Sequence, residues 1–179
     1  LVGSEMCIRD RFMIFIMFPL CLLIVITAFV PKGRVLATKL YEFFGWIGIV
    51  LVGVELNVIG AEKIDTKKSY VVIGNHPSTL DIFTHITALP VSIRFLTKTE
   101  LFRIPIFGRV LKTLGLPRID RKNAKANFEK INDSINQVIK LGNSIMIFPE
   151  GKRSNQKELL PFKKGAVSYT HLTLPTILS

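Results

Sequence analysis

The chain has 179 residues, of which 49% are hydrophobic, and 24 Lys and Arg against 13 Asp and Glu give it a net charge of +11. This length allows one domain of ordinary size with a buried core. A chain that is both basic and apolar suits an anionic membrane surface or a phosphate-bearing substrate better than nucleic acid. Its two cysteines are too few for a disulfide framework or a zinc site, and we expect no metal.

The two ends of the chain differ in composition from the segments beside them. Residues 1–11 show no periodicity, and residues 167–179 form a string rich in Thr and Leu without Lys, Arg, Asp or Glu. Both ends resemble translated sequencing-adapter read-through, so we expect them to be non-native and the chain to be a fragment. A natural tail of unusual composition is the alternative.

Two apolar stretches precede the polar part of the chain. Residues 12–30 are long enough to cross a hydrocarbon core of roughly 30 Å as a transmembrane helix, with a signal peptide as the alternative. Lys32, Arg34 and Lys39 follow, which places the downstream chain on the cytoplasmic side. Residues 41–54 are short for a span and predict a re-entrant or interfacial helix, or else a buried core helix. We therefore expect residues 12–53 to anchor the chain in a membrane.

From residue 54 onwards, strand and helix patterns alternate. Strands are predicted at residues 55–59, 70–73, 93–97, 118–120 and 144–148. Helices are predicted at residues 78–89, 100–103, 106–114 and 124–141. This alternation predicts an α/β fold with a largely parallel sheet flanked by helices and preceded by membrane-associated helices. No linker divides residues 54–166, so we expect a single domain behind the anchor.

A histidine and an aspartate follow the strand predicted at residues 70–73. His76 lies in the loop after the strand, and Asp81 falls near the first turn of the next helix. Open α/β sheets bind ligands at this end of their strands. A carboxylate on one imidazole nitrogen would fix the tautomer and stabilise the imidazolium, which suits deprotonation of an alcohol. Two capping residues would show the same spacing, so the spacing alone leaves both interpretations open.

Two basic loops could bind an anion. After the strand predicted at residues 144–148 comes F-P-E-G-K-R-S, in which Gly151 allows close backbone approach and Arg153 can bind a phosphate through two hydrogen bonds. The segment G-L-P-R-I-D-R at residues 115–121 ends in Arg121. A solvated basic turn and a surface ion pair are the respective alternatives.

Four blocks occur in a particular order along the chain. They are N-H-P-S-T-L-D at residues 75–81, L-F-R-I-P-I-F-G at 101–108 leading to G-L-P-R-I-D-R, F-P-E-G-K-R-S at 148–154, and L-L-P-F-K-K-G-A at 159–166. Their order and spacing resemble the glycerolipid acyltransferase family, and within it the 1-acyl-sn-glycerol-3-phosphate acyltransferases. The resemblance covers about residues 54–166 and marks them as the catalytic domain.

The resemblance implies a reaction and assigns residues to it. A fatty acyl group would pass from coenzyme A or acyl carrier protein to the free hydroxyl of a lysophospholipid, with no cofactor. His76 would be the general base and Asp81 its partner. The residues that would bind the acceptor phosphate are Arg121, Glu150, Gly151 and Arg153. The implied partners are membrane lipid, the lysophospholipid and acyl carrier protein, and nucleic acid is not among them.

The resemblance also implies a particular product and a location. The acceptor would be 1-acylglycerol-3-phosphate and the product phosphatidic acid, in phospholipid biosynthesis at the cytoplasmic face of a membrane. Another lysophospholipid or an amino-acid-derived lipid as acceptor, and a non-catalytic protein that binds anionic lipid, are the alternatives. The chain departs from the family in having Lys152 where Thr is usual and in lacking a later apolar, Pro-containing block. We therefore expect residues 54–166 to be a C-terminally truncated domain, and both an active and an inactive fragment fit the sequence.

Overall fold

The computed structural model describes residues 2–120, 128–153, 160–163 and 176–178, with side chains described from residue 15 to residue 163 of these ranges. The α-helices in them are α1 (Val2–Thr27), α2 (Gly33–Val52), α3 (Asp81–Ala88), α4 (Phe107–Thr113) and α5 (Phe128–Lys140). The strands are β1 (Val71–Ile73), β2 (Ile93–Phe95), β3 (Thr97–Lys98), β4 (Arg118–Ile119), β5 (Ser144–Ile147) and β6 (Thr176–Leu178).

The main sheet has four strands in the order β2-β5-β1-β6, and each neighbouring pair is parallel. Strands β3 and β4 form a separate parallel pair. The α/β fold with a parallel sheet flanked by helices is thus confirmed. Because β1 and β5 are parallel neighbours, the loops that follow them leave the same edge of the sheet.

The two faces of the sheet are buried against different helices. Side chains of a strand point alternately to opposite faces, and in β5 this alternation separates Ile145 and Ile147 from Met146. The two isoleucines pack with the buried face of α5, whereas Met146 belongs to the cluster that includes residues of α1, α2 and α4. The α5 side chains that are buried there are Ile131, Ile135 and Val138.

Two glycines allow α2 to lie close against α3. A Cβ atom at Gly45 would overlap Ile86, and one at Gly48 would overlap the ring of Phe83. The ring of Phe83 also packs on Phe44, with 5.3 Å between the ring centroids. This close packing fixes α3, whose first residue is Asp81.

A buried arginine joins β2 to α2 and α4. Arg94 is only 2% exposed, and its guanidinium donates to the backbone oxygen of Leu114 at 2.9 Å and to Oγ1 of Thr38 at 2.7 Å. The same group also donates to the Ser92 hydroxyl and to the backbone oxygen of Ile93, each at 2.9 Å. Burial lowers the pKa of the Arg94 guanidinium. These neutral acceptors take the place of a carboxylate partner and make Arg94 a link between three elements.

The second apolar helix is longer than the sequence analysis predicts. Helix α2 begins at Gly33 rather than near residue 41 and has 20 residues, so it is long and apolar enough to cross a membrane by length and composition. The part of α1 whose side chains are described, Phe15–Thr27, is shorter than such a span. The prediction that the second stretch is too short is therefore wrong, because Lys39 and the residues before it are helical as well.

Three further predictions need correction. Residues 55–59 alternate in polarity but form no strand, because they pair with none of the described strands. The strand predicted at residues 93–97 divides into β2 and β3, which belong to different sheets. Helix α3 begins at Asp81 rather than Ser78, because the Ser78 hydroxyl accepts the Leu80 amide and holds the chain in a turn.

The start of α5 and the origin of β6 bear on two further predictions. Helix α5 is described from Phe128, so the start predicted at residue 124 lies outside the described residues. Strand β6 comes from residues 167–179, the end that the sequence analysis sets aside, and it pairs with β1 along Thr176–Leu178. A non-native origin for that end stays a prediction.

Candidate active site

The candidate site lies where the chain leaves β1 and β5. Ile73 and Ile147 are register partners at the ends of these strands, and the Gly74 amide continues the pairing with a 3.3 Å hydrogen bond to the Ile147 oxygen. The loop that contains His76 therefore lies beside the loop that begins at Phe148. The structure brings the first and third sequence blocks together at one edge of the sheet.

His76 and Asp81 form a close pair. Nδ1 of His76 lies 2.7 Å from Oδ2 of Asp81, and the Ser78 amide donates to the same oxygen at 2.9 Å. A carboxylate only accepts hydrogen bonds, so Nδ1 carries the proton and Nε2 of the neutral ring is left as a proton acceptor. The Asp81 side chain is 11% exposed and the His76 side chain 19%, so both are largely covered and the imidazole is the more accessible of the two.

Aromatic rings surround the histidine. The His76 ring stacks on Phe148 with centroids 4.1 Å apart and planes at 10°. The ring of His85 meets Phe148 edge-on at 5.7 Å, and Phe95 stacks on Phe148 at 5.8 Å. These residues have no role in the predictions made from the sequence, although Phe148 opens the third block and His85 lies one helical turn after Asp81.

An open cleft of about 530 Å³ begins next to His76 and is lined by Pro77, Ser78, Thr79 and Arg153. Nη1 of Arg153 donates to Oγ1 of Thr79 across it. The bond fixes one end of the guanidinium and leaves its other N–H groups as donors for an anion. Thr79 is a functional candidate that the sequence analysis missed, and its place between His76 and Asp81 was the available signal.

The other predicted phosphate contacts have different surroundings. Glu150 is 3% exposed, and its Oε2 accepts the Leu160 amide at 3.1 Å, so its carboxylate holds the loop rather than lining the cleft. Gly151 has a φ of 69°, a left-handed conformation that favours glycine, and its amide donates to the Phe148 oxygen at 3.0 Å. Arg121 lies outside the described residues.

In the part of the chain that the structure describes, no three His, Cys, Asp or Glu side chains are grouped so that they could hold a metal ion. The site instead places a proton acceptor, Nε2 of His76, at the start of a cleft that Arg153 makes positive. This arrangement suits a substrate that carries both a hydroxyl group and an anionic group.

Comparison with known proteins defines the class. The model of the acyltransferase family matches residues 55–178, which include both loops of the site. The chain belongs to the acyltransferase family.

Among the curated relatives are 1-acyl-sn-glycerol-3-phosphate acyltransferases. The protein of that name from Cocos nucifera is 34% identical over 149 residues, which are 83% of this chain and 47% of the relative. The one from Saccharomyces cerevisiae is 35% identical over 119 residues, 65% of this chain and 39% of the relative. The chain thus spans about half the length of the curated relatives it matches, or less.

A solved structure has the same fold. The 1-acyl-sn-glycerophosphate acyltransferase PlsC from Thermotoga maritima matches with a TM-score of 0.78 over 98% of this chain and 73% of that protein. The sequences are 23% identical, so this likeness concerns the fold.

Proposed function

We propose that this chain belongs to an enzyme that transfers a fatty acyl group to the free hydroxyl of 1-acylglycerol-3-phosphate and forms phosphatidic acid. The observation that carries the proposal is the 2.7 Å contact between His76 and Asp81 at the start of the cleft that Arg153 lines. The relatives named 1-acyl-sn-glycerol-3-phosphate acyltransferases support this acceptor.

The chemistry of the proposed reaction needs one base. Nε2 of His76 takes the hydroxyl proton while the acceptor oxygen attacks the carbonyl carbon of an acyl thioester. The tetrahedral intermediate then collapses, the C–S bond breaks, and the thiolate leaves and takes the proton from the imidazolium. The Asp81 carboxylate stabilises the imidazolium while it exists. The products are the ester and a free thiol, and the acyl group never bonds to the protein.

The donor in this proposal is a thioester of coenzyme A or of acyl carrier protein, and no cofactor takes part. The acceptor phosphate binds Arg153, whose guanidinium is already oriented by Thr79. We include Arg121 in the same phosphate site by the family resemblance. Glu150 and Gly151 contribute by shaping the loop that presents Arg153.

We further propose that the protein works at a membrane, in phospholipid biosynthesis. Helix α2 is long and apolar enough to span, and large apolar side chains are exposed on both first helices, among them Phe18, Leu23 and Trp46. The basic residues after α1 favour a catalytic domain on the cytoplasmic face. A lysophospholipid acceptor is itself dissolved in the bilayer, so a membrane-bound domain meets it there.

The proposal is tested with the full chain purified in detergent, radiolabelled acyl-CoA or acyl carrier protein thioester, and a panel of lysophospholipids. We expect phosphatidic acid to form from 1-acylglycerol-3-phosphate, and His76→Ala to abolish its formation. His171→Ala, the same change outside the four sequence blocks, serves as the control. Undiminished transfer by His76→Ala would remove His76 as the base. Binding of anionic vesicles by a wild-type chain that transfers no acyl group would favour the non-catalytic alternative.

A further inference from the structure

The contact with Asp81 leaves one motion of the His76 ring unrestrained. A single hydrogen bond from Nδ1 to Oδ2 of Asp81 fixes the direction in which the Nδ1–H bond points. The ring can still turn about the line of that bond, and Nε2 then sweeps through an arc. A general base must keep its nitrogen within hydrogen-bond reach of the proton it removes. Something must therefore hold the plane of the ring.

Phe148 meets this requirement. Its ring lies face to face with His76, with centroids 4.1 Å apart and planes at 10°. The backbone positions of the two residues depend on the same strand pairing, because Phe148 follows β5 and the His76 loop follows β1. A flat contact of this kind opposes rotation of the imidazole out of its plane.

Phe148 is in turn held by two other rings. Phe95 of β2 stacks on it at 5.8 Å with planes at 19°, and His85 of α3 meets it at 78°. The His85 ring is itself fixed, since its Nδ1 lies 2.6 Å from the backbone oxygen of Asp81. Residues of β2 and α3 thus pack against Phe148 and restrict its movement.

We propose that Phe148 is the positioning residue of His76: its ring face holds the imidazole plane and stabilises the imidazolium that forms when Nε2 takes a proton. The face of an aromatic ring carries partial negative charge and attracts a cation placed over it. This second effect exists only after proton transfer, so it favours the reacting state over the resting state. The proposal rests on the proposed acyl transfer for its kinetic consequences but not for the ring geometry.

The segments around His76 and Phe148 contain other titratable groups that make hydrogen bonds: Asp81, His85, Glu150 and Arg153. From α3, the Asp81 carboxylate contacts the imidazole directly and His85 contacts Phe148. From the loop after β5, Arg153 binds Thr79 and Glu150 holds the Leu160 amide. Replacing Phe148 with another apolar residue removes the edge contact of His85 but not its 2.6 Å contact with the Asp81 oxygen. The hydrogen bonds of Asp81, Arg153 and Glu150 do not involve the Phe148 side chain, so such a variant tests chiefly the effect of the ring.

The kinetic test compares Phe148→Leu with Phe148→Tyr. Leucine keeps the site apolar but removes the ring face, and we expect kcat to fall about fivefold to tenfold with little change in KM for the acceptor. The acid limb of the kcat/KM profile should move to lower pH, because the imidazolium loses stabilisation. Tyrosine restores the ring face and should restore both the rate and the profile.

The control is Phe83→Leu, the same change in a phenylalanine that packs on Phe44 between α2 and α3. It should lower the melting temperature without moving the acid limb. A purely structural role for Phe148 predicts this same behaviour for Phe148→Leu. The proposal is overturned if Phe148→Leu folds and keeps the wild-type profile, or if Phe148→Tyr behaves like Phe148→Leu.

A second measurement does not depend on acyl transfer. In the full chain labelled with ¹⁵N-histidine, NMR follows protonation of His76, identified by the signal that His76→Ala removes. We expect half-protonation at a lower pH in Phe148→Leu than in the wild type and in Phe148→Tyr. If the wild type transfers no acyl group but the NMR shift is seen, the proposed function fails and the positioning role stands. An identical titration in Phe148→Leu and the wild type refutes the positioning role.

Discussion

Replacing Asp81 with asparagine tests the His76 pair most directly, because the side chain keeps its shape and loses only its charge. Oδ2 of Asp81 accepts both Nδ1 of His76, at 2.7 Å, and the Ser78 amide, at 2.9 Å. An asparagine can turn either its oxygen or its NH₂ group towards this position. The Ser78 amide can only donate, so we expect the oxygen to stay there and to keep Nδ1 of His76 protonated.

The size of the expected fall in kcat follows from this geometry. A hydrogen bond to a charged group contributes about 1.5–3 kcal/mol and a neutral one about 0.5–1.5 kcal/mol. The loss is then about 1–2 kcal/mol of imidazolium stabilisation, which corresponds to a fall in kcat of about 5-fold to 30-fold. If the NH₂ group turned inwards instead, His76 would adopt the wrong tautomer and the loss would approach about 10⁴-fold, as in a serine protease triad.

The assay is kcat for acyl transfer, measured together with the melting temperature. Asp81 is also the acidic residue in the first turn of α3, so loss of its charge should lower the melting temperature by about 1–4 °C. Glu129→Gln, which neutralises an exposed carboxylate in the first turn of α5, is the matched control and should leave kcat unchanged. An unchanged kcat in a folded Asp81→Asn variant would refute a role for the pair, and a 10⁴-fold loss would refute the role given to the Ser78 amide.

Three further substitutions test other contacts. Thr79→Val removes the acceptor that orients Arg153 and should raise KM for the lysophospholipid about 2-fold to 10-fold without changing kcat, as steady-state kinetics would show. Arg94→Met leaves buried acceptors unpaired and should destabilise the fold by about 2–3 kcal/mol, a fall of about 4–12 °C in the melting temperature. Gly48→Val places a side chain against Phe83 and should cost about 1–3 kcal/mol in chemical denaturation.

Each of these variants has a control. Thr113→Val changes a threonine outside the site and should leave KM unchanged. An unchanged KM in Thr79→Val would show that Arg153 is oriented without the Thr79 hydroxyl. Arg109→Met removes an exposed arginine, and equal melting temperatures for it and Arg94→Met would contradict the role given to the buried one. Gly48→Val should destabilise the Phe83→Ala variant less than it destabilises the wild type. Equal destabilisation in the two backgrounds would exclude an overlap between the new side chain and the Phe83 ring.

Local sequence spacing placed His76 and Asp81 within reach of each other, because both residues belong to one loop and the helix that follows it. The choice between a catalytic pair and two capping residues needed the order of the four sequence blocks as well. The alternation of strands and helices also predicted a parallel sheet, in which the loops after neighbouring strands leave the same edge. That rule follows from parallel pairing and needs no side-chain detail. The hydrogen bond between Arg153 and Thr79, in contrast, was not predicted from the sequence.

Other features depend on partners that are distant in the sequence. Arg94 lies in an apolar strand, and its burial makes sense only with Thr38 and Leu114, which are 56 and 20 residues away. The stacking of Phe148 on His76 depends on how two loops pass each other, which periodicity does not encode. Residues 55–59 are the reverse case, in which a sequence pattern predicts an element that does not form. Their alternation is typical of a strand, but they pair with none of the strands that the structure describes.

Because β1 pairs with a strand far along the chain, it stays unpaired with β5 for part of the time in which the ribosome synthesises the protein. The Tyr70 amide donates a hydrogen bond to the hydroxyl of Ser144, 74 residues further along the chain. At about 5–20 residues per second, β1 waits about 4–15 s for its neighbour to be translated. Tyr70 can meanwhile bury itself against the earlier helices, with which it shares a core cluster, but Val71 belongs to the face that α5 covers. During those seconds the Val71 side is open to chaperones or to another nascent chain.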